Sequence, residues 1–356
     1  MLAGNIGHTT VYADEVSEQT ELLAAEEKEF DTDYSVTWSN EVKTCWSKVT
    51  LEERGILSIS ATKPYNDLLD YLEIRVKLYD ETGKYFMYLV AYGPDEENAS
   101  LQIGLEKGTY YVEMYPEYPG SFAKNTITDY KFSFQADENC ELEPNDTKDD
   151  ATPMKVDVAY TGYFGAGFTN TSKYGDENDF YKVKLTKGQA YKFTFEEKQG
   201  LTIVRLYGKN TEVGKYGMLF DAEKFNVPYG TTFIAPYTGY YYANIYNYSN
   251  AQYQYTIKVS NVTPKATSLT SVKAGKGAFT AKWKKSSCSG YQIQYSTNKN
   301  FKSPKTENIS AGKTSYSLNK LSSNKKYYVR IRTYRDTDNK KTVYSSWSKA
   351  KSVTTK

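Results

Sequence analysis

Gly108-Thr-Tyr-Tyr-Val-Glu-Met-Tyr115 and Gly239-Tyr-Tyr-Tyr-Ala-Asn-Ile-Tyr246 read as one strand written twice. Each opens on a turn glycine and then alternates, the period of a β-strand whose two faces meet different surroundings. A second pair stands in the same order: Trp46-Ser-Lys-Val-Thr-Leu51 and Phe180-Tyr-Lys-Val-Lys-Leu185, each followed by a turn glycine, Gly55 and Gly188. The first pair is separated by 131 residues and the second by 134. Two landmarks at nearly equal offset predict a duplicated domain.

Working outward, Ile56, Ile59, Leu78 and Val90 sit in short alternating runs, and Tyr130-Lys-Phe-Ser-Phe134 is a further strand. Helical periodicity is scarce. Tyr supplies 36 of the 356 residues, and its ring suits a half-buried pleated surface. The chain therefore reads as all-β, and its length suits two or three domains. The net charge of +2 hides a split. From Pro264 onward there are 21 Lys+Arg against 3 Asp+Glu, a charge of +18, and the remainder carries −16. Such a basic end faces a polyanion or is a solvated lysine surface.

The three cysteines, Cys45, Cys140 and Cys288, are far apart and show no CxxC spacing. This excludes a disulfide framework and a zinc ribbon, and leaves a Cys45–Cys140 bridge open. No stretch reaches the ~18 apolar residues that span a bilayer. Val11-Tyr12-Ala13 before Asp14 has the small residues of a signal-peptidase site, so residues 1–13 read as a signal-peptide remnant and the product as secreted. Residues 14–30 read as an acidic linker.

Between the two copies the chain is rich in hard oxygen ligands. Glu141, Glu143, Asn145 and Asp146 fall within six residues, and Asp176 and Asp179 precede a strand. Calcium takes six to eight such oxygens, and a linker folded against a strand-edge loop would gather them. The run Glu143-Pro-Asn-Asp-Thr147, Ala151, Gly162, Asp176-Glu-Asn-Asp-Phe-Tyr-Lys-Val183, Gly188, Gly239-Tyr-Tyr-Tyr and Tyr253-Gln-Tyr-Thr-Ile257 resembles the bacterial pre-peptidase C-terminal domain family, related to the collagen-binding modules of clostridial collagenases. The resemblance covers 141–261. It implies a jelly-roll-like β-sandwich with calcium held by Glu141, Glu143, Asn145, Asp146, Asp176 and Asp179. Residues 31–137 resemble the same family through their later strands only. There Cys45 and Val42 stand in place of Asp179 and Asp176, so a second calcium site is not expected.

On the strand after Gly239, alternation sends Tyr241, Ala243 and Ile245 one way and Tyr240, Tyr242 and Tyr246 the other. One face fills a core. The other is a candidate ligand platform or a face covered by a neighbour, and in the collagen-binding relatives a tyrosine-rich face holds the ligand.

From Pro264 the pattern changes again. Phe279, Ala281 and Trp283 alternate with polar residues, as do Tyr291, Ile293 and Tyr295, and Leu321 precedes Tyr327-Tyr-Val-Arg-Ile-Arg-Thr333. This resembles a fibronectin type III domain over 264–356. The resemblance makes Trp283 the core tryptophan and Tyr327 the tyrosine whose hydroxyl bonds back to the backbone. Tyr344-Ser-Ser-Trp347-Ser resembles a WSxWS-type element, with Arg330 and Arg332 placed to stack on Trp347.

The single histidine, His8, lies in the signal remnant. Histidine-dependent triads and zinc sites are excluded from the mature chain, and no phosphate-binding glycine loop or nucleic-acid motif appears. The expectation is three tandem β-sandwich modules in a secreted bacterial surface protein, not an enzyme. It would bind an extracellular matrix protein, a glycan or an anionic cell-wall polymer. The alternative is a structural spacer or accessory subunit of a secreted hydrolase, and a third reading is a hydrolase that uses a pair of carboxylates.

Overall fold

The computed structural model describes residues 20–62, 74–91, 98–116, 126–164, 178–197, 201–208, 220–225, 229–247, 253–338 and 340–356. The signal-peptide expectation for residues 1–13 lies outside them.

The first unit runs β1 (Glu26–Glu27), β2 (Asp33–Trp38), β3 (Cys45–Leu51), β4 (Gly55–Thr62), β5 (Ile74–Tyr79), β6 (Tyr85–Ala91), β7 (Asn98–Leu105), β8 (Gly108–Pro116) and β9 (Thr126–Ala136). The second runs β10 (Thr152–Met154), β11 (Ala159–Phe164), β12 (Asn178–Leu185), β13 (Ala190–Glu197), β14 (Leu201–Tyr207), β15 (Phe220–Phe225), β16 (Tyr229–Ile234), β17 (Gly239–Asn247) and β18 (Tyr253–Asn261). The third holds β19 (Leu269–Gly275), β20 (Ala278–Trp283), β21 (Gly290–Ser296), β22 (Lys305–Ser310), β23 (Ser315–Leu318), β24 (Lys326–Asp336), β25 (Thr342–Tyr344) and β26 (Lys351–Thr354).

The first two units are the same sandwich. Sheets β1-β3-β8-β5-β6 and β2-β9-β4-β7 of the first correspond strand for strand to β10-β12-β17-β14-β15 and β11-β18-β13-β16 of the second. Even the register agrees. Leu51 lies opposite Gly108 and Cys45 opposite Met114, as Leu185 lies opposite Gly239 and Asp179 opposite Ile245. Alternation explains the packing: Phe193, Phe195, Tyr255 and Ile257 from one sheet meet Tyr181, Val183, Tyr241 and Ala243 from the other in a buried core. The first unit builds its own core on Trp38, Leu57, Val76, Val112 and Phe132. Residues 14–30 are not simply a linker. Their described part pairs β1 in parallel with β3 and buries Leu22, and the Trp46 indole N–H donates to Glu21 at 2.7 Å.

The third unit packs β19-β20-β23 against β22-β21-β24, with β25 and β26 both on β24. Trp283 is buried in its core with Phe279, Tyr291 and Ile331, as expected. Arg330 and Arg332 stack on Trp347 at 4.7 and 4.4 Å, and on Phe301 and Tyr344 beyond it. The hydroxyl role expected of Tyr327 belongs to Tyr291, which accepts the Ser286 N–H at 2.9 Å and donates to the Ser286 carbonyl. Tyr327 packs on Phe279 and Tyr295 instead.

Tyr291 follows a rule that runs through the chain. Tyr34, Tyr160, Tyr191, Tyr241 and Tyr291 are each the second or third residue of a strand. Each hydroxyl accepts a backbone N–H four or five residues upstream. The ring fills the core while its tip satisfies a turn donor that has no ladder partner.

The units are clamped at their joints. Cys140 forms a parallel bridge with Thr161, and the Glu141 N–H donates to the Thr161 carbonyl at 2.8 Å. On the other side, the Glu143 N–H donates to the Gly104 carbonyl at 2.9 Å, Arg54 donates to the Cys140 carbonyl, and Ile56 packs on Cys140 and Tyr163. The three cysteines are free, so the Cys45–Cys140 bridge is not formed; burial pushes the Cys140 thiol up to about 11. Between the second and third units, the Thr232 N–H donates to the Asp338 carboxylate at 2.6 Å and the Asp338 N–H returns to the Thr232 carbonyl.

A Cβ at Gly104 would overlap the Glu141 carbonyl oxygen, a backbone atom that cannot swing away. Gly104→Ala is therefore expected to cost about 1–3 kcal/mol and to split the melting of the first two units in calorimetry. Gly312→Ala, where a Cβ meets nothing within 4 Å, should leave the trace unchanged. A wild-type trace for Gly104→Ala would contradict this joint.

Candidate metal centre and aromatic face

Glu141 follows the bridged Cys140, so the joint itself delivers its carboxylate into the second unit. It is 0% exposed. Its Oε1 accepts the Tyr163 N–H at 2.6 Å, and its Oε2 faces the hydroxyls of Tyr255 at 3.2 Å and Tyr181 at 3.4 Å. Asp179, the second residue of β12, is also 0% exposed and accepts the Tyr255 hydroxyl. The two tyrosine oxygens are 2.8 Å apart. Each hydroxyl carries one proton, so the pair cannot serve each other and both carboxylates at once.

Glu143 completes the group. Its carboxylate accepts the backbone N–H and the side-chain amide of Asn145 at 3.0 and 3.1 Å. Asn145 in turn anchors the loop to β12, its carbonyl accepting the Phe180 N–H at 2.9 Å. Oxygens of Glu141, Glu143 and Asp179 all lie within 4.8 Å of one another. Asp146 is exposed beside them, and Asp176 lies outside the described residues. Two carboxylates at that distance repel by about 3 kcal/mol at an effective dielectric of 20. An all-oxygen set of this kind fits a hard cation such as calcium or magnesium, and offers no nitrogen or sulfur for zinc or copper.

The hydroxyls stay protonated. Burial first, and then the charges of Glu141 and Asp179, hold Tyr181 and Tyr255 well above the usual tyrosine range. Both were invisible as site residues in the sequence, where alternation marks them as core. The signal that points to them is Gly162. It pairs with Tyr255 across β11 and β18, and a Cβ there would overlap the Tyr255 ring and lie 2.6 Å from the Tyr181 hydroxyl. At the matching register of the first unit, Cys45 lies 3.6 Å from the Tyr130 hydroxyl and no carboxylate replaces Asp179.

The outer face of β17 is more covered than alternation suggests. Tyr240 is 51% exposed, while Tyr242 and Tyr246 are half-buried and Asn244 between them is buried. The loop carrying Asn145 crosses this face. Tyr242 packs on the buried Ala151, Phe180 and Tyr207, with the Lys148 ammonium 5.6 Å from its ring. The three tyrosines do share one face, but they do not form an open platform.

Residues 262–346 match the fibronectin type III domain family. The pre-peptidase C-terminal domain of collagenase from Bacillus anthracis is a structural neighbour, with 15% identity over 31% of this chain and 94% of that one, at a TM-score of 0.25. An FN3 domain of human collagen XX shares 17% identity over 26% of this chain and 92% of its own, at 0.22. A beta-1,2-glucanase from Parabacteroides distasonis shares 11% identity over 55% of this chain and 36% of its own, at 0.23. No curated protein matches the chain.

If the carboxylates hold a cation, the native state alone binds it and gains stability by mass action. Calcium at a hundredfold excess over Kd is expected to raise the melting temperature of the second unit by about 8–15 °C, and chelation to reverse it. Gly162→Ala should displace the tyrosine pair and lose that response. Asp179→Asn keeps the side-chain shape and should lose it too, which separates loss of the site from loss of the fold. A calcium response that persists in Asp179→Asn would overturn the assignment.

Proposed function

We propose that this chain is a secreted, non-catalytic adhesion or binding protein whose second unit is set by calcium. The observation that carries the reading is the convergence of Glu141, Glu143 and Asp179 at the clamp between the first two units. Calcium there would be held by these carboxylates with Asn145 and Asp146, and the family resemblance adds Asp176. It would neutralise the mutual repulsion and stiffen the joint. The ligand is an extracellular matrix protein, a glycan or an anionic wall polymer. The exposed Tyr240 at the start of β17 is the best-placed aromatic contact on the tyrosine face, since tyrosine is a favoured interface anchor. Among the described residues no helix is long and apolar enough to cross a membrane.

One observation favours a second reading, a spacer or accessory subunit of a secreted hydrolase. Hydrogen bonds at Gly104 and at Asp338 dock each unit on the next, and Tyr242 is spent on internal packing.

The test is retention of the full chain on immobilised collagen, glycans and wall polymers, in calcium and in EGTA. The adhesive reading expects one ligand class to be retained in calcium. Where that ligand is a matrix protein or a glycan, Tyr240→Ala should lose tenfold or more in affinity with an unchanged melting curve. Tyr242→Ala should instead lower the melting temperature. Retention of nothing under any condition would leave the spacer reading in its place.

A further inference from the structure

The charge of the third unit is not spread evenly. Its three acids are Glu307 on β22, Asp336 at the end of β24, and Asp338, which is bonded to Thr232 of the second unit. All lie on or beside the β22-β21-β24 sheet. The other sheet, β19-β20-β23, carries none, and no acidic residue occurs between Glu223 and Glu307.

Phe279, Ala281 and Trp283 of β20 are buried, so Thr280 and Lys282 point outward. Cross-strand register then sets two rows on the outer face: Ser271–Lys282–Ser315 and Lys273–Thr280–Ser317. Thr280 and Ser317 are hydrogen-bonded at 2.8 Å. Lys284 continues the outward series, Lys276 stands in the β19–β20 turn, and Lys313 and Lys320 flank β23; all are exposed. Among the described residues, the ion pairs involve no lysine of this unit. Like charges gathered on one sheet face without acids between them oppose folding slightly, and ordinary soluble surfaces intersperse the two signs.

We infer that the outer face of β19-β20-β23 is the contact surface for an extended phosphodiester polymer. Outward side chains repeat about every 7 Å along a strand, and strands lie about 4.8 Å apart. Ammonium groups therefore recur at about 7–8 Å, with serine and threonine hydroxyls between them as further donors. A flat strip of this kind matches a single linear chain with one anionic group per repeat. It carries no aromatic ring on which a nucleic-acid base would stack, so the fitting ligand is a polyol phosphate. This deepens the adhesive reading and rests on it for the extracellular setting, but uses neither calcium nor Tyr240.

The test is affinity of the full chain for polyglycerol phosphate across a salt series, with heparin and duplex DNA as comparison ligands. Lys273→Glu/Lys282→Glu/Lys284→Glu is expected to weaken polyglycerol phosphate binding at least tenfold. Each phosphate contact contributes about 0.7–0.9 to the slope of log affinity against log salt, so that slope should fall by about 2. The control Lys299→Glu/Lys302→Glu/Lys305→Glu makes the same charge change around the β21–β22 turn and should stay within threefold of wild type. EGTA and Tyr240→Ala should change nothing, so failure of the tyrosine face leaves this test standing. Equal loss in both triple variants would reduce the effect to net charge and overturn the proposal. Tighter binding of heparin or DNA than of polyglycerol phosphate would overturn the ligand class.

Discussion

One tyrosine hydroxyl, that of Tyr255, stands between two fully buried carboxylates, Asp179 and Glu141. Taking a carboxylate out of water costs several kcal/mol unless hydrogen bonds or an opposite charge offset it. The second unit meets that cost with parts from four places. Glu141 comes from the joint, Asp179 from β12, Tyr255 from β18, and the Tyr163 N–H from β11. Gly162 leaves the space that Tyr255 needs. Because the joint that carries Glu141 is also bonded to Gly104 of the first unit, the chemistry of the cluster and the posture of the first two units are linked.

Tyrosine does a similar service elsewhere at lower cost. A phenylalanine would fill the same core volume at Tyr160, Tyr191 or Tyr291 but would leave a part-buried turn N–H without its acceptor, a penalty of about 1 kcal/mol. The abundance of tyrosine is thus partly a property of how strands begin in this chain. It is weaker evidence for ligand binding than the count alone suggests, and Tyr242 makes the point: it looks like a platform residue in the sequence and serves as packing under Lys148.

The architecture was legible where alternation and repetition speak. The duplicated strands at Gly108 and Gly239 occupy the same register in both sandwiches, and Trp283 sits in the core its pattern implied. The carboxylates were legible as oxygen-bearing groups clustered in sequence, and three of them converge. What was hidden required three dimensions. Nothing in a period-two pattern separates Tyr181 and Tyr255 from ordinary core aromatics, because their rings are core and only their tips are polar. The parallel pairing of β1 with β3 was hidden because two glutamates carry no strand signal of their own. A shared strand pattern does not say which hydroxyl reaches a turn: Tyr327 packs in the core, and the hydroxyl that does reach one belongs to Tyr291.

The junction cluster is proposed as a single cation site. Isothermal titration of the full chain with calcium tests it most directly. The account predicts one site per chain, lost in Asp179→Asn, with no second site created by Cys45→Asp because the first unit lacks the upstream ligands. Absence of heat at millimolar calcium, or a stoichiometry of one that survives Asp179→Asn, would contradict it.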